Sequence, residues 1–385
     1  VATISSPWIS ATRRIRGAVL RYSALEQPYA RSRPIVIEEL TLNEPGETEL
    51  LIEMEAASVC HSDLSVVNGS RLRPLPMLLG HEAAGRVLGV GSQVTDIAPG
   101  QRVIMTFLPR CGACANCRTN GLLPCSEGTR ANTEGTLLSG ARHLHSNSET
   151  VQHHLGVSGF ATHAVVDRRS VVPVDDDVPP EVAAVLGCAV LTGGGALLNN
   201  ARITAEDTVA VVGLGGVGMA GLLTAVAQGC AQVIAVDNQP EKLELALSLG
   251  AAKALTPQDA IDEGIRVSVV LEAVGNARAF ETAFGLVAPG GRLVTVGLPS
   301  PESTATISPL RITAEAITIM GSYMGAAIPE RDIPRFVELW RSGSFPIEKL
   351  ISDTIRLDQI NEAMDRLADA SAMRQVVLFH KGEAK

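Results

Sequence analysis

The stretch Val211-Val212-Gly213-Leu214-Gly215-Gly216-Val217-Gly218 constrains the fold of this chain more than any other. It reads as a short buried strand, a glycine-rich turn and the start of a helix that continues to Gly229. A second apolar strand over 232–236 ends on Asp237. The unit is βαβ, with G-x-G-x-x-G at its first turn and an acid 19 residues past the last glycine. Gly213 permits the tight turn, Gly215 lets a pyrophosphate approach the backbone, and Gly218 lets helix and strand pack closely. The exposed N–H groups at the helix start are expected to bind the anion with the helix dipole, which makes the turn residues Leu214, Gly216 and Val217 candidate cofactor contacts. Asp237 can accept hydrogen bonds from both adenosine ribose hydroxyls and would repel a 2′-phosphate. No arginine follows in 238–242. NAD is therefore expected over NADP. A glycine-rich turn in an unrelated α/β protein is the bland alternative, and the flanking strands and the spaced acid weigh against it.

The length, 385 residues, suits two domains. Residues 1–189 carry short alternating runs, such as 18–20, 35–37 and 50–52, separated by turn signals. That pattern predicts a domain of antiparallel strands. From about 190, strand-like runs at 209–212, 233–236, 267–271, 293–296 and 317–319 alternate with helical stretches. Residues 190–331 therefore read as a doubly wound parallel sheet. Two amphipathic helices, 333–341 and 357–368, and a last strand over 375–379 are expected to return residues 332–385 to the first domain. Residues 1–16, with Arg13, Arg14 and Arg16, read as a loose arm or an expression remnant.

A net charge of −9 argues against a nucleic-acid surface. No apolar run approaches 18 residues without a charge or turn signal, so no membrane span is expected. No apolar segment follows the N-terminal arginines, so no secretory signal is read there. The seven cysteines are odd in number and tightly spaced, which favours metal ligation over disulfides and a cytoplasmic location.

Cys111-x2-Cys114-x2-Cys117-x7-Cys125 places four thiolates within fifteen residues. They can close a tetrahedron around zinc with no place for water, the pattern of a structural site centred on a lobe at 108–126. An iron–sulfur cluster uses the same ligand type and stays open as an alternative. Cys60, His81 and Cys188 offer two thiolates and an imidazole, the donor set of a catalytic zinc. Spacing alone is weak support for that trio, because a lone Cys or His is more often core. Cys230, after the βαβ helix, reads as plain packing.

The Cys60-His61-Ser62-Asp63 opening, 80-GHEAAG-85, the four-cysteine lobe, Gly187-Cys188 and the Gly213–Gly218 turn together resemble the zinc-dependent medium-chain alcohol dehydrogenases. The resemblance covers roughly residues 17–385. It implies a β-rich GroES-like catalytic domain beside a Rossmann cofactor domain, two zinc ions per chain, NAD, and a small alcohol or aldehyde as substrate. The long 126–160 connection is similar to the dimeric, class III-like branch, so a homodimer is implied. By the same resemblance, Cys60, His81 and Cys188 hold the catalytic zinc. Ser62 bonds the substrate oxygen, Asp63 orients the histidine, and Glu82 is the acid near the metal. His61 and Arg374 match pyrophosphate contacts, Thr192 and Val217 nicotinamide contacts, and Asp237 and Lys242 ribose contacts. Phe107 matches an aromatic wall of the substrate pocket. The implied reaction is reversible hydride transfer between an alcohol and NAD, with zinc as Lewis acid.

Three positions depart from the family pattern. Ser65 stands where many relatives have a relay histidine. The loop 68–73, with Arg71 and Arg73, is basic where the glutathione-dependent branch is acidic. His154 stands where a pocket aromatic is usual. It reads either as a pocket histidine or, with His143, His145 and His153 nearby, as part of a solvated loop. Competing readings are an S-(hydroxymethyl)glutathione or polyol dehydrogenase on the same scaffold, and a non-enzymatic zinc- and nucleotide-binding protein.

Overall fold

The computed structural model describes residues 12–379. The Gly213 turn lies in a six-stranded parallel sheet. Its strand order is Lys253–Leu255, Gln232–Val236, Thr208–Val212, Val267–Glu272, Val287–Thr295 and Thr318–Gly321. The chain runs outwards from Thr208–Val212 on one side, then returns to pair Val267–Glu272 on its other side. The Gly213 turn sits at that reversal, where open α/β sheets bind ligands. Helices cover both faces, so Val209, Ala210, Val211 and Val212 are all buried.

The first half of the chain builds a small closed barrel and a seven-stranded sheet. The barrel order is Thr12–Leu20, Ile35–Asn43, Leu144–Ser146, Glu149–His153 and Met77–Leu78. The seven-stranded sheet is centred on Glu49–Val59, paired with Ala83–Val90, His163–Asp167 and the last strand, Arg374–Leu378. Gln375 lies opposite Val59, so Arg374 comes to rest beside Cys60. The predicted strand 375–379 and helix 333–341 are Arg374–Leu378 and Pro329–Arg341.

Three expectations are corrected. Residues 12–16 are no loose arm. They belong to the barrel strand Thr12–Leu20, in register with Ile35–Asn43, and Ile15 is buried. Residues 1–11 lie outside the described residues. The four histidines do not form a solvated loop. His143, His153 and His154 are buried, because strands Leu144–Ser146 and Glu149–His153 close the barrel and turn this segment inwards. Glu49, itself buried, pins the segment through Ser139 Oγ at 2.6 Å and His143 Nε2 at 2.7 Å.

The third correction concerns Pro180–Ala201. This run is one continuous helix with two wider, π-type stretches, and by length and composition it could cross a membrane. Instead, 89% of its most apolar window is buried inside the protein. The triple glycine 193–195 is not a turn. A Cβ on Gly193 would sit 1.9 Å from Val217 O, so the glycines let this helix lie directly on helix Gly216–Ala227. That approach holds Cys188, within a π stretch, and Thr192 at the crevice. Such stretches recur at functional sites.

Candidate active site and metal centres

The glycine turn has the geometry that an anion cradle needs. Gly213 has φ of +91°, in the left-handed region. A Cβ on Gly215 would meet nothing within 4 Å, leaving room above the backbone. A Cβ on Gly218 would fall 1.7 Å from Gly213 O. Gly218→Ala therefore forces the turn apart. At about 1–3 kcal/mol for such overpacking, NADH affinity should drop by roughly 5- to 150-fold, read by fluorescence titration. Asp237 accepts from Leu214 N at 2.6 Å and Gln239 N at 2.9 Å, so it shapes the turn as well as ending the strand. Leu214 is buried in the core, and its N–H is taken by Asp237. Neither Leu214 nor Gly218 is among the residues lining the cavity.

The cavity is a cleft of 1030 Å³ running from this turn to Cys60 and Cys188. His61, Ser62, Thr192, Val217, Lys242 and Arg374 line it, together with Asp237, Gly213, Gly215 and Gly216. At the end away from the glycine turn, Phe107, His154 and Tyr323 form a wall. Phe107 stands edge-on to His81 and to Tyr323, each at 5.8 Å between ring centres.

Four ligand-type side chains, Cys60, His81, Glu82 and Cys188, bring their atoms within 4.8 Å of one another, and all are buried. They come from four places: a helix N-cap, two positions of a loop between strands, and the π stretch. Asp63 organises them. Its carboxylate accepts from Cys60 N at 3.0 Å, closing a capping box on helix His61–Val67, and from Gly80 N at 3.3 Å. It also lies 3.0 Å from His81 Nδ1 and 3.2 Å from His154 Nδ1. Burial opposes ionisation of Asp63, yet His81 and His154 hold its pKa down to about 2. With Nδ1–H of His81 donated to Asp63, Nε2 keeps its lone pair. That atom is buried and has no hydrogen-bond partner among the described residues. An orphaned imidazole nitrogen facing two buried thiols fits a zinc ion.

Glu82 sits behind this group, 3.1 Å from Arg374 Nη1, and accepts from Ala189 N at 3.3 Å. Burial pushes its carboxyl up to about 7, with Arg374 pulling the other way. Arg374 is itself 3% exposed and also donates to Val59 O. Its side chain crosses the face of Gly216, so it touches both the acid behind the cysteines and the phosphate turn. Burial favours the neutral form of His154, and Asp63 opposes that shift. Ser65 Oγ donates to His61 O at 2.8 Å within the helix.

The other cluster is local. Cys111, Cys114, Cys117 and Cys125 converge, with Sγ–Sγ separations of 3.9 Å for the 111–117 and 114–125 pairs. A tetrahedron of sulfurs about 2.3 Å from zinc has edges of about 3.8 Å. A disulfide would need about 2.05 Å. Cys111 N and Gly128 N donate to Cys125 Sγ, as expected around a thiolate.

Sequence reasoning missed Tyr323 and the placement of Arg73. Tyr323 precedes a residue with positive φ in an irregular segment, and nothing local marks it as pocket-forming. Arg73 carried a signal in the basic loop, but its direction into the cavity was not readable.

The alcohol dehydrogenase GroES-like domain family matches residues 46–176, and the zinc-binding dehydrogenase family matches residues 216–342. A geraniol dehydrogenase of Castellaniella defragrans is 34% identical over 364 residues, covering 90% of this chain and 95% of its own. Among solved structures, an alcohol dehydrogenase zinc-binding domain protein from Burkholderia ambifaria is 30% identical with a TM-score of 0.89. The benzyl alcohol dehydrogenase of Acinetobacter calcoaceticus is 29% identical with a TM-score of 0.87. Each of these two structures covers 96% of this chain and is itself covered completely.

Proposed function

Because the chain belongs to the zinc-dependent medium-chain alcohol dehydrogenases, we propose that it interconverts a small alcohol and its carbonyl with NAD, in the cleft between Cys60 and Gly215. The activity class is that of the family: an oxidoreductase acting on alcohols. The observation that carries the site assignment is the buried, partnerless Nε2 of His81 among Cys60 and Cys188.

In this reading Cys60, His81 and Cys188 hold a catalytic zinc and the four lobe cysteines hold a structural one. Zinc, when bound, supplies Lewis acidity that lowers the pKa of the substrate hydroxyl. NAD, when bound, accepts the hydride. The protein's part is positioning. Asp63 fixes the His81 tautomer and leaves Nε2 free to ligate. Ser62 takes the hydrogen bond of the substrate hydroxyl and passes its proton towards solvent. Ser65, tied back to His61 O, does not replace a relay histidine, so the proton leaves through water in the cleft. The Gly213–Gly218 turn and Arg374 hold the pyrophosphate, with His61 beside it. Thr192 and Val217 flank the nicotinamide. Asp237 and Lys242 hold the adenosine ribose, which favours NAD over NADP. Phe107 and His154 bound the substrate.

A cytoplasmic homodimer completes the proposal. None of the seven cysteines is in a disulfide, in keeping with a reducing compartment. Thr318–Gly321 is the edge strand of its sheet, and Leu298 and Leu310 are exposed; a second copy pairing at that edge is the proposed contact. Light scattering reads the oligomer directly.

The test of the activity is NADH formation with ethanol, hexanol, benzyl alcohol, a secondary alcohol, and formaldehyde plus glutathione, repeated with NADP. Oxidation of simple alcohols with NAD and no thiol requirement is expected. Turnover confined to the glutathione adduct would reassign the substrate. No turnover in protein holding two zinc ions would remove the proposal.

A further inference from the structure

The far wall of the cleft holds a cation without a counter-ion. Arg73 is only partly exposed, and it lines the cavity together with Arg71. Its Nε is buried and has no hydrogen-bond partner among the described residues. Its one hydrogen bond there is a long one, from Nη1 to Asn132 O at 3.5 Å. Arg366 and Arg374 also leave Nε without a partner, but each of them faces a carboxylate, Asp353 and Glu82. Arg102 holds Glu55 at 2.6 Å, and Arg169 holds Asp167 at 2.8 Å. Guanidinium groups withdrawn from water are normally paired, because desolvating an unpaired charge is costly.

The position of Arg73 says which ligand is missing its partner. Asn132, which it touches, donates to Phe107 O at 2.7 Å, so Arg73 belongs to the Phe107 wall and not to the phosphate turn. The charges of Arg73 and Arg71 act on Tyr323, and that of Arg73 acts on His154. Asp237 is the one acid among the residues lining the cleft. It lies at the nucleotide end and is already bound to Leu214 N and Gln239 N. The substrate arm therefore has two arginines and no acid. Burial lowers the pKa of Arg73 from its usual value, but a guanidinium starts so high that it stays charged near neutral pH.

We propose that Arg73, assisted by Arg71, selects alcohols that carry an anionic group, a carboxylate or a phosphate, at the end remote from the reacting carbon. The inference rests on the alcohol dehydrogenase reading of the same cleft. A planar fork of N–H donors is suited to either oxyanion. Phe107 and Tyr323 would hold the apolar body of the substrate between the anion and the reacting carbon.

The test compares three probes with one reacting end: 4-(hydroxymethyl)benzoate, its neutral amide, and 4-(hydroxymethyl)phenyl phosphate. For the wild-type protein with NAD, kcat/KM for at least one anion should exceed that for the amide by on the order of 10- to 100-fold, mostly through KM. Whichever anion leads names the group recognised. Arg73→Met should collapse the anion-to-amide ratio, and Arg73→Lys should restore part of it. An amide turned over as well as both anions, or a ratio that survives Arg73→Met in protein with wild-type circular dichroism, overturns the inference while leaving the dehydrogenase reading intact. If none of the probes or simple alcohols is turned over, the dehydrogenase reading fails. Calorimetric binding of the same probes to the NADH complex then decides for Arg73: anion preference lost in Arg73→Met supports the inference, and equal binding overturns it.

Discussion

His81→Ala should lower kcat/KM for alcohol oxidation by on the order of 10³- to 10⁴-fold, because Lewis-acid activation is worth several kcal/mol and each 1.36 kcal/mol is a factor of ten. His81 is 1% exposed, its Nδ1 is engaged by Asp63, and its Nε2 faces the thiols of Cys60 and Cys188. Alanine leaves two thiols and Glu82, a weaker donor set held back by Arg374. Elemental analysis should therefore show one zinc per chain fewer than in the wild type, for which the proposed function predicts two. Asp63→Asn is the graded companion. An amide cannot accept from Cys60 N, Gly80 N and His81 together, and loss of such an outer partner typically costs 10- to 100-fold in metal affinity or activity. Full activity in His81→Ala, or retention of both zinc ions, would remove the catalytic assignment.

Cys114→Ser should unfold the lobe around the second cluster and lower Tm by roughly 4 °C, if about 3 kcal/mol of the stability of the whole is lost with it. Between 111 and 126 only Gly121 and Cys125 are buried, so the lobe has almost no apolar core. Its regular structure is one short helical turn, Asn116–Thr119. Metal binding by such segments is their folding energy. The lobe also touches the other half of the chain. A Cβ on Gly121 would lie 2.2 Å from Ala326 O, and Arg331 Nη1 donates to Asn120 Oδ1 at 3.0 Å. Loosening it should expose new protease sites within 111–125, readable by limited proteolysis and mass spectrometry. A variant with unchanged Tm, unchanged cleavage and both zinc ions would show that the thiols are not a metal site.

Much of this protein was legible without coordinates, and the legible parts share a physical cause. The Gly213 turn, Asp237 and the four-cysteine lobe are formed by residues close along the chain. Their chemistry follows from local backbone geometry: a positive φ, a helix start, and thiols spaced to converge. The alternation of strands and helices after residue 190 likewise reflects local periodicity.

Other features needed long-range pairing to become visible. The pairing of strand Arg374–Leu378 against Glu49–Val59 brings Arg374 from the far end of the chain to Glu82, although nothing around residue 374 encodes that neighbour. Closure of the barrel turned His154 inwards, against an expectation drawn from polar composition. The Asp63 carboxylate lies 3.2 Å from its Nδ1, which offsets part of the cost of burying it. The glycines at 193–195 resemble a turn in sequence, and only close tertiary approaches explain them: Gly193 to Val217 O, Gly194 to Phe336 and Gly195 to Gly325 O.

By itself, then, the sequence determined the nucleotide turn, the thiol cluster and the two-part organisation, since each depends on contacts a few residues long. Tertiary structure alone decided which distant side chains meet. Cys60, His81 and Cys188 converge because strand register and a glycine-mediated helix contact bring their segments together. Arg73 lines the cleft with no carboxylate partner among the described residues, and no local pattern records that outcome.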